Sequence, residues 1–372
     1  MLEISHTSYS YFRPFILERR DSELLEGIGR ILGPPSDGFL QFLAYMINLL
    51  SNNQLSESDV DRVVQWIDEI RGYNLLSKLL SFKIWTIKAF ASNLLPGALR
   101  LKNVLLVSAL LDAGTNPNSL IGYDKLRPLQ YTVLFGNNEI LQLLLKFGAD
   151  VNAPAAIHNG RTALQAASEK GDIKLVQLLL DARADVNALA AKFYGRTALQ
   201  AALKIGHVEP VRLLLNAGAD VNAPASELQG RTALQAASEK GNIELVQLLL
   251  DVGADINAPP SYERGVAAIQ AAAIKGYIAI VHLLLNAGAD VNSASAVHEG
   301  RTALEGAAEH GRIDMLQLLI NAGAKTIEDG QSQYIRAVKF AEKEGRFAVA
   351  EFLRHHRSWT EEDRQIFEDI TL

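Results

Sequence analysis

The sequence contains no cysteine among its 372 residues. Disulfide bonds, thiolate catalysis and cysteine-ligated zinc are therefore excluded, and the composition fits an intracellular protein of the cytoplasm or nucleus. Basic residues are also in deficit, since the formal net charge is −6. Nucleic-acid-binding proteins usually present a basic face, so this balance argues against that function, although it leaves room for a small basic patch.

Long apolar runs are missing as well. The longest lies near Phe39 to Leu50 and is shorter than the ~20 residues that cross a bilayer, so we expect a buried helix there and no membrane partner. Residues 1–13 are polar and aromatic without an apolar core, which predicts that the chain carries no signal peptide.

The patterns of catalysis and metal binding are absent too. The eight histidines show no HExxH or comparable ligand spacing. There is no phosphate-binding glycine loop, no G-x-S-x-G and no kinase signature. We therefore expect no enzymatic activity, no cofactor and no metal site.

What the sequence does contain is a repeat. The stretch Gly230 to Ala258, GRTALQAASEKGNIELVQLLLDVGADINA, recurs almost unchanged from Gly160, and looser copies begin at Gly195, Gly265 and Gly300, so successive units start 35 residues apart. A fixed period of about 20–50 residues is the signature of stacked repeats, in which each unit buries its apolar face against its neighbours.

Each unit can be interpreted as two short helices followed by a projecting finger. Thr232 precedes an Ala-rich run and can cap a helix there, and Gly241 can end that helix in a left-handed conformation. Asn242 can cap a second helix, whose apolar residues recur at helical spacing. The polar, Pro-containing segment before Gly265 is typical of a turn.

These units resemble ankyrin repeats, and in particular fungal ankyrin-repeat proteins with GRTALQAA-type units. GRTALQAA is similar to the family's G-x-T-P-L-H-x-A, while LVQLLL and GADVN match its second helix and turn. The resemblance implies an all-α ankyrin-repeat solenoid. The family's His, which ties neighbouring units together, is replaced by Gln, so that hydrogen bond is either made by Gln or lost. The replaced positions are Gln165, Gln200, Gln235 and Gln270.

The repeats divide the chain into three parts. We expect a helical N-terminal domain over residues 1–91, an array of about eight ankyrin units over residues 92–356, and a C-terminal capping helix over residues 357–372. The first and last units are degenerate, as terminal repeats usually are. The N-terminal helices are predicted to begin near Asp21, Asp37, Ser56 and Asn74.

Both ends of the array have specific features. The first unit contains Pro96 and Gly97 in its first helix, and we infer that it docks the N-terminal helices. At the other end, Thr360 and Asp363 have the spacing of a capping box before the last helix.

The turn positions lead to three further predictions. Arg183 stands where other units have Gly, so it should adopt a strained left-handed conformation. Pro210 should fall in the first turn of a second helix, where it forfeits no hydrogen bond. A row of aspartates should brace the backbone of the GADVN turns rather than form a carboxylate site. These are Asp150, Asp185, Asp220, Asp255 and Asp290.

Alternate units are more alike than neighbouring ones. The twelve residues from Gly160 to Gly171 are identical to those from Gly230 to Gly241, which indicates duplication of a two-repeat cassette. A catalytic site is rarely built twice in this way, whereas a binding surface can be lengthened by it.

The finger tips vary while the framework stays constant, and they carry the aromatic, charged and amide residues that are enriched at interfaces. By resemblance to ankyrin proteins, the fingers and first helices line the concave binding face. The alternative is that neighbouring tips simply cover one another. The candidate partner-binding residues are His158, Asn159, Lys192, Phe193, Tyr194, Glu227, Gln229, Tyr262, Glu263, Arg264, His298 and Glu299.

The sequence thus favours a monomeric, non-catalytic scaffold that binds a protein partner, with no nucleic-acid partner. A second hypothesis gives the activity to the N-terminal helices, as an effector or oligomerisation module that the array targets. A third makes the chain one piece of a larger multidomain protein.

Overall fold

A computed structural model describes residues 60–61, 63–65, 85–121, 125–155, 160–191 and 195–370. These residues fall into two compact units, with the boundary between Ala153 and Pro154. The N-terminal helices predicted from Asp21, Asp37, Ser56 and Asn74 all begin outside the described residues, and the predicted domain boundaries stay predictions.

From residue 85 onward, the described part of unit 1 contains four helices that pack as two consecutive pairs. They are α1 (Trp85–Arg100), α2 (Val104–Asp112), α3 (Pro128–Phe135) and α4 (Asn138–Lys146).

Helix α1 accommodates Pro96 in its interior and meets an N-terminal helical segment. A Cβ on Gly97 would lie 2.8 Å from Val60 Cγ1, so only glycine permits this approach. Arg100 forms an ion pair with Asp61 at 2.8 Å. Both contacts support the inference that the first repeat unit docks a helix from the N-terminal region.

In unit 2, the first and second helices of successive repeats follow one another along the chain. Its members are α5 (Ala163–Lys170), α6 (Ile173–Asp181), α7 (Ala198–Ile205), α8 (Val208–Asn216), α9 (Ala233–Lys240), α10 (Ile243–Asp251), α11 (Ala268–Lys275), α12 (Ile278–Asn286), α13 (Ala303–Glu309), α14 (Ile313–Asn321), a short 3₁₀ turn (Glu328–Gly330), α15 (Gln331–Lys343), α16 (Phe347–His356) and α17 (Glu361–Asp369).

Within unit 2, each first helix packs on its own second helix and on the first helix of the next repeat. The helix boundaries follow from capping. Thr232 Oγ1 accepts a hydrogen bond from the amide of Gln235, Gly241 is left-handed with φ of 84°, and Asn242 caps α10. All three predicted roles are confirmed. Small and branched residues fill the interior, and Ala237, for example, is fully buried.

The repeated Gln links each first helix to the finger that follows it. Gln235 is buried, and its amide nitrogen donates to the carbonyls of Ala258 at 3.0 Å and Pro259 at 3.1 Å. Its amide oxygen accepts from the Thr232 amide. Equivalent bonds form at Gln165, Gln200 and Gln270. The Gln side chains therefore tie each first helix to the finger of its own unit, and a bond between neighbouring units through these Gln residues stays a prediction.

One repeat departs from this arrangement. Glu305 occupies the Gln position, and a carboxylate cannot donate to carbonyls. Its Oε1 instead lies 3.1 Å from Arg336 Nε, without hydrogen-bond geometry. Burial raises the pKa of Glu305, because water no longer stabilises its charged form.

The GADVN turns join successive repeats through backbone contacts. Asn222 donates to the carbonyl of Gly253 and accepts from the amide of Asp255, both in the next repeat. The Asp220 carboxylate accepts from the amide of Asn222. The same pattern recurs along unit 2, so the prediction that the aspartates brace turns is confirmed. Arg183 is left-handed with φ of 64°, also as predicted, and Pro210 lies in the first turn of α8.

A polar cluster lies at the last three described helices, α15, α16 and α17. Asp363 is fully buried, and Arg357 donates to its two carboxylate oxygens at 2.7 and 2.8 Å. Thr360 and Asp363 complete the predicted capping box. The hydrogen bonds from Arg357 hold the pKa of Asp363 far below its usual range.

Candidate functional site

The described finger tips are joined to one another by backbone hydrogen bonds. The amide of Gln229 donates to the carbonyl of Glu263 at 3.2 Å, and the amide of Arg264 donates to that of His298 at 3.0 Å. In return, the amide of His298 donates to the carbonyl of Tyr262. Three successive tips therefore form a small ladder of isolated parallel bridges.

The conformation of each tip is also fixed locally. The third residue of each tip is left-handed, with φ of 52° at Gln229, 50° at Arg264 and 54° at Glu299. A buried glycine follows each of them. A Cβ on Gly265 would lie 2.2 Å from the carbonyl oxygen of Ser261, so the finger can close only on glycine. The tips thus present their side chains in defined positions.

Side chains of neighbouring tips pair while staying accessible. The Tyr262 hydroxyl lies 2.7 Å from His298 Nε2, and Arg264 Nε lies 2.6 Å from a Glu299 oxygen. The hydrogen bond from Arg264 lowers the pKa of Glu299. Tyr262 nevertheless remains 55% exposed. Neighbouring tips therefore contact one another and still leave side chains accessible to a partner.

The other predicted site residues have different surroundings. Glu227 is exposed, whereas Gln229 and Glu263 are half-buried. The remaining five, His158, Asn159, Lys192, Phe193 and Tyr194, lie outside the described residues.

A groove of about 600 Å³ runs beside the tips over the surface of the first helices α7, α9 and α11. Two predicted residues, Gln229 and Arg264, line it. Among its described lining residues, Glu239 is the acidic one, whereas the cationic ones are Arg196, Lys204, Arg231, Lys240, Arg264 and Lys275. The groove is therefore basic although the whole chain is acidic.

The charge of the groove follows from the two-repeat period. In three alternate repeats, an Arg after the finger glycine pairs with a Glu near the end of the first helix. These pairs are Arg161–Glu169, Arg231–Glu239 and Arg301–Glu309, at 2.7, 2.8 and 2.9 Å. The repeat from Gly195 has Arg196 and Lys204 at these positions, so its own acid is replaced by a second cation.

Three groove cations, Arg196, Lys240 and Lys275, form no ion pair within the described part of the chain. Burial and the neighbouring guanidinium of Arg161, partly offset by Glu169, lower the pKa of Arg196. Lys204 lies 4.0 Å from Glu169, at the limit of an ion pair. The groove therefore carries more positive charge than the acidic side chains of the described residues neutralise.

Contacts between repeats position two of the lining side chains. The stem of Lys240 lies over left-handed Gly206, where a Cβ would be 3.2 Å from its Cγ. The ring of Tyr277 lies over Gly241, where a Cβ would be 2.4 Å away. The sequence analysis did not predict Lys240 or Tyr277 as part of the site. One signal of a basic surface was present in the sequence, because Lys204 stands where alternate repeats have Glu.

Comparison with known proteins agrees with this architecture. The model for Ankyrin repeats (3 copies) matches residues 97–190, 187–260 and 261–358. No curated protein matches the chain, so the resemblance to fungal proteins stays a prediction. None of the helices that the structure describes combines the length and apolar character of a membrane span.

Proposed function

Because the chain belongs to the ankyrin-repeat family, we propose that it is a non-catalytic scaffold that binds a protein partner as a monomer. Ankyrin repeats generally mediate protein–protein interaction and are typically non-catalytic. The proposed contact face consists of the finger tips and the first helices. The alternative of an active N-terminal module rests mostly on residues outside those described.

The observation that carries the proposal is the ladder of finger tips. Backbone hydrogen bonds fix three successive tips, yet Tyr262 is 55% and Val297 73% exposed. A preorganised surface loses little conformational freedom on binding, which favours affinity. Exposed aromatic and Arg side chains such as Tyr262 and Arg264 are the types that dominate interface energies.

Affinity capture from cell extract tests this face. The finger variant combines Phe193→Ala, Tyr194→Ala, Tyr262→Ala and Arg264→Ala. Its matched control removes exposed apolar side chains from second helices, with Ile243→Ala and Ile278→Ala. We expect the captured partner to be lost from the finger variant and retained by the control. Capture that survives the finger variant, or that is lost with the control, contradicts the proposed face.

A further inference from the structure

The basic groove over α7, α9 and α11 indicates the chemistry of the partner. Its cations come from three consecutive repeats. Arg196 and Lys204 belong to the repeat on α7, Lys240 to the repeat on α9 and Lys275 to the repeat on α11. Arg196 is half-buried, and water screens a partly buried charge less than a fully exposed one. A ligand that carries negative charge in a line would complement this row.

The spacing of the row constrains the shape of the ligand. Packed helix axes lie about 8–10 Å apart, and a chain in the extended polyproline II conformation advances about 3.1 Å per residue with three residues per turn. One repeat therefore corresponds to about three residues of such a ligand, and every third side chain lies on the same face. An α-helix would advance only about 1.5 Å per residue and would need a much longer segment to reach all three repeats.

The residues between the cations also suit a peptide. Gln229 places an amide at the edge of the groove, and Tyr277 contributes an aromatic ring that is packed on Gly241. Amides pair with a peptide backbone, and an aromatic ring packs against side-chain stems. Glu239 holds Arg231 inside the groove, and this carboxylate would repel a continuous polyanion such as a nucleic acid more than a peptide with spaced acids.

We propose that this groove binds an extended acidic segment of the partner protein in the polyproline II conformation, with a carboxylate at about every third residue facing the cations of successive repeats. This inference rests on the proposed scaffold function and deepens it. Arg196 with Lys204, then Lys240, then Lys275 each receive one carboxylate.

Fluorescence anisotropy of labelled peptides on the full chain tests the inference. The probe is (Glu-Ser-Ser)₃, and (Gln-Ser-Ser)₃ is its neutral match. The acidic peptide should bind more tightly, and high salt should remove the difference because it screens the charges. A third peptide with its three glutamates consecutive should bind more weakly than the spaced one. Equal binding of the acidic and neutral peptides overturns the inference, and equal binding of spaced and consecutive acids overturns the spacing.

Paired variants locate the site. Lys240→Gln with Lys275→Gln should weaken binding of the acidic peptide about tenfold, since two ion pairs are lost. The control, Lys146→Gln with Lys174→Gln, removes the same charge from exposed positions on the second helices α4 and α6 and should change affinity less than about twofold. An equal loss in the control overturns the assignment.

Two more outcomes separate this inference from the scaffold function. A single-stranded DNA oligonucleotide that binds more tightly than the spaced peptide overturns the assignment to an acidic peptide. If the finger variant loses its captured partner while Lys240→Gln with Lys275→Gln keeps it, the acidic-segment inference fails alone and the scaffold function stands.

Discussion

Replacing Gln235 by Met tests the hydrogen bonds that tie each helix to its finger. The side chain is 1% exposed and makes two bonds to finger carbonyls and one to the Thr232 amide. Met is unbranched and of similar size, so it preserves packing while removing all three bonds. At about 1 kcal/mol per bond, the free energy of unfolding should fall by about 3 kcal/mol.

The assay is urea unfolding followed by far-UV circular dichroism, with the slope of the transition checked for constancy. Gln247→Met, on α10 of the same repeat, is the control. Its side chain is exposed and bonds Asp251 within its own helix at 2.7 Å, so we expect a change within about 0.5 kcal/mol. If Gln235→Met costs no more than Gln247→Met, the repeated Gln does not stabilise the array and the reasoning is refuted.

Three further predictions concern strain and charge. Arg183→Gly should raise stability by about 1 kcal/mol in thermal unfolding, because φ is 64° there; an unchanged melting temperature contradicts this. Asp363→Asn should cost about 3 kcal/mol at neutral pH by leaving Arg357 unpaired. Since the folded-state pKa of Asp363 is lowered, that difference should shrink as the pH falls below about 4; a difference constant with pH would refute it. Because the pKa of Glu305 is raised, Glu305→Gln should gain stability over wild type as pH rises above about 4.3; parallel pH curves would contradict it.

Local features of the fold could be predicted because they depend on neighbouring residues. The cap at Thr232, the left-handed turn at Gly241 and the strained Arg183 each follow from one residue type at one place in the repeat. The fixed period then extends a local interpretation to every unit. The ion pair between Arg357 and Asp363 was not predicted, since six residues separate them across an irregular turn.

The candidate site was harder to predict because it is made between repeats. Arg196 and Lys275 lie on different first helices, and only the stacking of the repeats brings them to one groove. The pairing of Tyr262 with His298 likewise depends on the register of neighbouring fingers. Sequence variation predicted the tips as the binding site, whereas the groove could be recognised only once the repeats were stacked in the structure. A repeat-by-repeat comparison of charge would have found Lys204 in place of the repeated Glu.

Hydrogen–deuterium exchange on the chain, free and bound to its captured partner, tests the central claim most directly. We predict slower exchange on binding in the fingers around Gln229, Arg264 and Glu299 and in the first helices α7, α9 and α11, with the second helices α8, α10 and α12 unchanged. Protection confined to the second helices would contradict the claim that the fingers and first helices recognise the partner.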